Sequence, residues 1–213
     1  MHKPSTGLSL EGIPFIFLTT VATLTFALIG CWAMAVFLLV ILFFVLHFFR
    51  DPERVVSQEP GVAVSPADGK VIKIEIMHDP LTGENRTAVC VFMNVFNVHV
   101  NRSPVAGRIG RISYFGGKFL NASLDKSSED NERNAVLIED VDGCGWTVVQ
   151  IAGLIARRII CWAEEGDSLA RGQRFGLIKF GSRVDLYLPD GYEPSVRIGD
   201  KVFAGQSILA RKK

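Results

Sequence analysis

Three short stretches of this chain hold side chains that could do chemistry. The first is Phe180-Gly181-Ser182-Arg183-Val184-Asp185. A Gly-Ser pair is most often a turn. Here apolar, strand-like runs flank it on both sides, so Ser182 falls near a strand junction. Glycine reaches backbone angles that other residues resist. At such a bond the Ser182 hydroxyl can attack the Gly181 carbonyl and turn the amide into an ester. β-Elimination then leaves dehydroalanine, which hydrolyses to a pyruvoyl group. The second stretch is Ser65-Pro66-Ala67-Asp68-Gly69. Asp-Gly is a strong turn pair, so Asp68 is either part of a turn or a carboxylate that orients a base. The third runs from Asn94 to Pro104 and holds His99. In a strand, residues 97, 99 and 101 share one face, which predicts a polar stripe of Asn97, His99 and Asn101 opposite the valines. A histidine there is either structural or an acid–base group. His2, His47 and His78 fall at the terminus, at the edge of an apolar run and in a loop, which leaves His99 as the catalytic candidate.

Other chemistries find little support. Cys31, Cys90, Cys144 and Cys161 are scattered and make no CxxC or Cys/His metal pattern; they read as small buried residues in a reducing compartment. No phosphate-binding loop is present. With 213 residues and a net charge of +1, the chain has no overall field that would point to nucleic acid.

The elements that must position these residues fall into two parts. From Ile13 to Phe49 there is no Asp, Glu, Lys or Arg. This run is close to twice the roughly 20 residues of one spanning helix and far longer than the apolar core of a signal peptide, so it reads as a retained anchor. Gly30 near its middle predicts a hairpin of two short helices, against the alternative of one tilted helix. Lys3 before the run and Arg50 and Arg54 after it place both ends on the cytoplasmic side. The expected division is a membrane-anchoring hairpin over 1–50 and a β-rich catalytic domain over 51–213.

Beyond Asp51 the chain shows short runs rich in Val, Ile and aromatics, punctuated by Gly, Asp, Asn and Pro. They predict strands over 70–77, 87–93, 107–115, 135–139, 146–151, 158–163, 174–179, 183–188 and 207–210. The polar segment Asn121–Asn134 reads as a long loop. Gly166-Asp167, four residues and Gly172-Gln173 resemble Gly199-Asp200, four residues and Gly205-Gln206. Two such turns predict a pseudo-symmetric β-sandwich or barrel of the biotinyl/lipoyl-carrier type; coincidence among common turn residues is the alternative.

PADG at 66–69, FNVHVNRSPVAG at 96–107 and FGSRVD at 180–185, in this order, resemble the phosphatidylserine decarboxylase proenzymes, in the short form of bacteria and archaea. FFRDPER at 48–54 and NERN at 131–134 share the resemblance, which covers essentially the whole chain. It implies self-cleavage between Gly181 and Ser182 into a large chain (1–181) and a small chain (182–213) that stay partners. Ser182 becomes a covalent pyruvoyl cofactor, and its keto group forms a Schiff base with the amine of phosphatidylserine. That group takes up electrons as CO2 leaves, and phosphatidylethanolamine is the product. Asp68 and His99 are then candidates for processing and proton transfer, and Arg183 either meets an anionic group of the substrate or is a solvated strand residue. Longer family members carry two histidines near the HVN region and an LGST-type cleavage motif; this chain has His99 alone and Gly-Ser-Arg-Val. The implied partners are phosphatidylserine and membrane lipid, with the catalytic domain on the cytoplasmic face of the cell membrane. A metal or nucleic acid is not expected, and a homo-oligomer stays open.

Two other readings compete. A pyruvoyl enzyme acting on a soluble amino acid would have no use for the anchor. A membrane-anchored, non-enzymatic β-sandwich carrier or adaptor would need a lysine at a hairpin tip or long helical hairpins. Lys179 lacks the carrier context, and no heptads are visible.

Overall fold

The computed structural model describes residues 7–117, 131–153, 158–179 and 181–213. Residues 2–53 and 54–213 form two compact units.

In the N-terminal unit the apolar run breaks at Gly30, which turns with φ +77°. Helix α1 (Ile13–Leu28) precedes the break and α2 (Trp32–Phe48) follows it. With a short 3-10 turn before it, the first helix covers Leu10–Leu28, 19 residues, and is long and apolar enough to cross a membrane; α2 is shorter. The open ends are stapled together. Ser9 N–H donates to the Phe49 carbonyl at 2.8 Å, and the Phe15 and Phe49 rings stack at 5.5 Å. Gly12 permits this approach, because a Cβ there would lie 2.5 Å from the Phe49 side chain. Many apolar side chains of both helices, including Phe17, Leu28, Trp32 and Phe43, are exposed.

The second unit is mainly β. Its strands are β1 (Val62–Val64), β2 (Gly69–His78), β3 (Asn85–Met93), β4 (Val100–Arg102), β5 (Gly107–Phe115), β6 (Arg133–Asp140) and β7 (Gly145–Ala152), then β8 (Ile159–Cys161), β9 (Ser168–Leu169), β10 (Arg174–Ile178), β11 (Ser182–Tyr187), β12 (Tyr192–Pro194), β13 (Lys201–Val202) and β14 (Ile208–Lys212). Eight of them form one curled sheet in the order β13-β2-β3-β11-β7-β6-β5-β9. Two three-stranded sheets, β1-β14-β12 and β4-β10-β8, accompany it. All nine strands predicted from the sequence are present; those it missed, β1, β4, β9, β12 and β13, have two or three residues each.

The order of the large sheet reads the same from both ends, and the hydrogen bonds repeat to match. Gly199 N–H donates to the Val71 carbonyl, as Gly166 N–H does to that of Ile109. Ser65 Oγ donates to the Ala67 carbonyl at 2.6 Å and Ser103 Oγ to that of Val105 at 2.7 Å. Gly205 N–H donates to the Ser65 carbonyl, and Gly172 N–H to that of Ser103, both at 2.8 Å. The two Gly-Asp…Gly-Gln segments are thus matched parts of a pseudo-twofold unit that also includes Ser65–Val71 and Ser103–Ile109. The second copy, β4 to β10, is continuous. It is inserted into the first, which is made of β1–β3 and β11–β14. The chain passes back from the inserted copy to the first between β10 and β11, at Gly181.

Packing explains the glycines that open β2 and β5. A Cβ on Gly69 would lie 2.2 Å from the Phe92 carbonyl oxygen, and one on Gly107 would lie 2.3 Å from that of Glu139. Register shifts at Val71/Lys73 and at Ile109/Arg111 bend the two long hairpins alike. The core inside the curl holds Trp146, which is fully buried; its ring meets Tyr192 edge-on at 4.6 Å, and its Nε1–H donates to Asp140. Gly107→Ala should therefore destabilise the domain by about 1–3 kcal/mol, seen as a lower thermal unfolding midpoint, whereas Gly116→Ala, where a Cβ would meet nothing within 4 Å, should leave the midpoint within error.

Candidate active site

Ser182 is the first residue of β11, a strand paired on both sides. It lies opposite Met93 at the end of β3 and opposite Ala152 at the end of β7. Its side chain is fully buried, with Oγ 4.0 Å from Met93 Sδ. Gly181 takes φ +61°, in the left-handed region where a side chain is strained. A Cβ there would meet nothing within 4 Å, so glycine is required by conformation and not by space.

The segment after β3 brackets this junction. Met93 stands beside Ser182 on one side of the Gly181–Ser182 bond. A turn follows, in which Asn94 N–H donates to Asn97 Oδ1 and Phe96 N–H donates to Asn94 Oδ1. His99 then comes alongside β10, its carbonyl accepting from Ile178 N–H at 3.3 Å. Ile178 closes the strand that leads into the bond from the other side. The polar stripe supposed extended backbone over residues 97–101, but the chain is a turn up to Asn97, and β4 starts only at Val100. The Asn97/His99/Asn101 stripe is therefore replaced by a continuous buried run from Val98 to Val105. The reason is that Asn97 caps the turn with its side chain and leaves its carbonyl to the histidine.

His99 is fully buried. Its Nδ1 lies 3.0 Å from the Asn97 carbonyl. That oxygen can only accept, so in the neutral ring Nδ1 carries the proton and the buried Nε2 carries the lone pair. A buried relay of amides backs the site. Asn134 Nδ2 donates to Gln150 Oε1 at 3.0 Å, and Gln150 Nε2 donates to Asn101 Oδ1 at 2.8 Å. Asn101 Nδ2 lies 3.9 Å from the Met93 sulfur that also meets Ser182. Asn131 Nδ2 holds the carbonyl of Ala152, the cross-strand neighbour of Ser182, at 2.7 Å. Sequence reasoning had not assigned Met93, Gln150 or the two asparagines to a site; the NERN run was the available signal.

Asp68 sits just before β2 and is nearly buried. Oδ2 accepts from Arg54 Nη2 at 2.8 Å, and Oδ1 from the Ala204 N–H at 2.7 Å. Arg54 also donates to Gln206 Oε1. The Gly205-Gln206 turn and the end of the FFRDPER run thus hold this carboxylate in place.

Arg183 is neither solvated nor on the face of Ser182. Strand alternation turns it to the other side of the sheet, where it is fully buried. Its Nε and Nη2 grip Asp185 at 2.6 and 2.9 Å, and Nη2 lies 2.9 Å from Cys90 Sγ. Burial pushes the Cys90 thiol well up, and Asp185 adds to the shift. Burial works to lower the Arg183 pKa, but Asp185 and Cys90 raise it overall, and the two-pronged geometry marks the pair as ionised. Among the described residues no group of three or more His, Cys, Asp or Glu is placed to hold a metal. The arrangement instead offers a buried hydroxyl next to a left-handed glycine carbonyl, with the backbone of the buried His99 bonded to Ile178 at the end of the strand before it.

A profile of the phosphatidylserine decarboxylase family matches residues 41–210. The chain is 64% identical over 212 residues to a protein of Nitratidesulfovibrio vulgaris named phosphatidylserine decarboxylase proenzyme, covering 100% of this chain and 98% of that one. A protein of the same name from Oleidesulfovibrio alaskensis is 60% identical over 213 residues, covering 100% and 98%. One from Burkholderia vietnamiensis is 49% identical over 210 residues, covering 99% and 98%.

The Arg183–Asp185 pair makes a stability prediction. Arg183→Met should cost about 3–5 kcal/mol because it strands a buried carboxylate. The double variant Arg183→Met/Asp185→Leu should recover most of that loss in equilibrium unfolding. A double variant as unstable as the single would contradict the pairing.

Proposed function

We propose that this chain, which belongs to the phosphatidylserine decarboxylase family, cuts itself between Gly181 and Ser182 and then converts phosphatidylserine to phosphatidylethanolamine and CO2. The observation that carries this reading is the bracketing of one peptide bond by residues 93–99. Met93 lies beside Ser182, and His99 is bonded to Ile178.

In the cleavage, the Ser182 Oγ–H proton passes to His99 Nε2 while Oγ adds to the Gly181 carbonyl carbon. The C–N bond then breaks and the Ser182 nitrogen takes up a proton, leaving an ester. Loss of the Ser182 Cα proton expels the Gly181 carboxylate, and hydrolysis releases ammonia. The residues present suit a pyruvoyl group at position 182. The hydroxyl that forms it is buried, and the surrounding polar side chains, Asn101 and Gln150, are neutral amides bonded to each other. Once formed, the group supplies a keto carbon that captures the substrate amine and accepts the electron pair freed by CO2. The protein's own share is to keep that place dry, to hold it at the head of a strand paired on both sides, and to return a proton through His99. Asp68, fixed by Arg54 and the Ala204 N–H, is assigned to orient the site during processing or proton transfer. Arg183 is assigned to positioning, through Asp185, and not to contact with the substrate.

After the cut, the products are a large chain, 1–181, and a small chain, 182–213. Strands β11 to β14 all belong to the small chain, and their pairing with β1, β2, β3 and β7 would keep the two together. The exposed apolar helices α1 and α2 support a membrane-bound enzyme whose lipid substrate is presented at the headgroup layer, on the cytoplasmic face.

Ser182→Ala should give one uncut chain that releases no CO2 from phosphatidylserine vesicles. A normally cleaved Ser182→Ala protein would sink the mechanism. His99→Ala should slow cleavage, CO2 release or both by about 10²–10⁴-fold, the usual contribution of an acid–base group; unchanged rates for both steps would remove His99 from the site.

A further inference from the structure

The pseudo-twofold relates the cleavage junction to a second place in the molecule. Val184 faces Val91, as Trp146 faces Ile138; Val91 and Ile138 in turn face the matched residues Val71 and Ile109. Continuing that register, Ser182 corresponds to Cys144. The carbonyl of His99 accepts from Ile178 N–H, as the carbonyl of Gly61 accepts from Lys212 N–H. Asp68 and Ala106 each precede the glycine that touches the neighbouring strand. All three reactive side chains are therefore replaced at the matched place.

The place itself is not filled. A cavity of about 450 Å³ opens there, with Gly61, Ala106 and Asp140 among the residues that line it. Charged side chains now reach it from positions whose counterparts around the cleavage junction are apolar. Lys212 stands where Ile178 does. Arg171 stands where Ala204 does, since each precedes a matched glycine. Arg171 Nη1 donates to the carbonyls of Ser57 and Glu59, whereas its Nε is buried with no acceptor among the described residues. The guanidinium so held stands on the cavity wall, where a fixed cation attracts an anionic oxygen. At the rim, Lys212 Nζ lies 3.2 Å from Asp142 Oδ2, with both side chains more than half exposed. Such a pair is held weakly and can part, leaving one cation and one carboxylate for a ligand. Asp140 is different: Trp146 Nε1–H and the N–H groups of Asp142 and Cys144 occupy its carboxylate, so it is wall.

We propose that this cavity is a second, non-reacting site for a small zwitterion bearing both a phosphate and an amine, the headgroup chemistry of an ethanolamine phospholipid. Arg171 and Lys212 would take the phosphate and Asp142 the amine. The choice of ligand class rests on the proposed function, because the matched copy is read as the place where a lipid headgroup with the same two groups reacts; the cavity and its charges do not depend on it.

The test uses the full-length Ser182→Ala chain in detergent micelles, titrated with glycerophosphoethanolamine by calorimetry. The expected result is saturable binding that weakens at least tenfold in Lys212→Glu and is lost in Ala106→Trp, which fills the cavity. Binding indifferent to both substitutions, or none at all, would overturn the site. Inorganic phosphate binding as tightly as the probe would overturn the amine contact. Repeating the titration in phosphatidylcholine nanodiscs, with and without phosphatidylethanolamine, separates the sources. Competition by the embedded lipid supports the site with a membrane headgroup as its ligand; undisturbed probe binding supports it with a soluble compound. The two readings fail separately. A processed Lys212→Glu enzyme that still releases CO2 but lacks the second binding event leaves the decarboxylase reading standing, and an inactive wild-type protein that binds the probe leaves the cavity standing.

Discussion

The structure depends on one backbone constraint: β11 must begin at Ser182, locked between two strands, immediately after a glycine in the left-handed region. The inserted copy delivers the chain to this point, and the first copy takes it over. The cross-strand bonds fix Ser182 against Met93 and Ala152, and β10 is fixed against the residues that follow His99. The bond between them is thus the joint between two well-anchored pieces of sheet. Such a joint can be cut without the loss of either piece, because the strands on both sides keep their partners.

The second copy shows that this backbone is not sufficient for chemistry. Gly143, with φ +78°, precedes Cys144 much as Gly181, with φ +61°, precedes Ser182. Yet that pair belongs to an ordinary hairpin between β6 and β7. The Cys144 N–H is bonded to Asp140 Oδ1 at 2.8 Å. Burial, and then Asp140 and Asp142, raise its thiol pKa, which keeps the weaker nucleophilic form. Where the cleavage junction has His99 and Asp68, the matched place has Gly61 and Ala106. The difference between a scissile bond and a turn therefore lies in side chains placed around a shared frame.

Much of this was legible in the sequence because strands and turns advertise themselves. Runs of Val and Ile bounded by Gly and Asp marked the longer strands. The Gly-Asp…Gly-Gln pair disclosed the internal symmetry, although the Ser65–Val71 and Ser103–Ile109 segments that complete it went unnoticed. The two-residue strands β9 and β13 were hidden because so few residues carry no periodicity. Arg183 was misjudged for a different reason. Alternation shows which residues share a face, but both faces of β11 are covered, and a charged residue on a covered face looks like a surface residue until its partner two positions on, Asp185, is seen to close the fork. The stripe through His99 failed because a turn stabilised by Asn94 and Asn97 side chains interrupts the strand, and local side-chain bonds of that kind override strand propensity. Of the segment 121–134, expected as a loop, residues 121–130 lie outside the described residues, and Arg133 and Asn134 instead open β6.

The most direct test is the intact mass of the purified wild-type protein under denaturing conditions, after incubation sufficient for processing. The account predicts two chains separated between residues 181 and 182, the small one lighter by one ammonia than a peptide beginning with serine, and no cut at Gly143–Cys144. A single chain of full mass that never divides, or a small chain that begins with an unmodified serine, would contradict it.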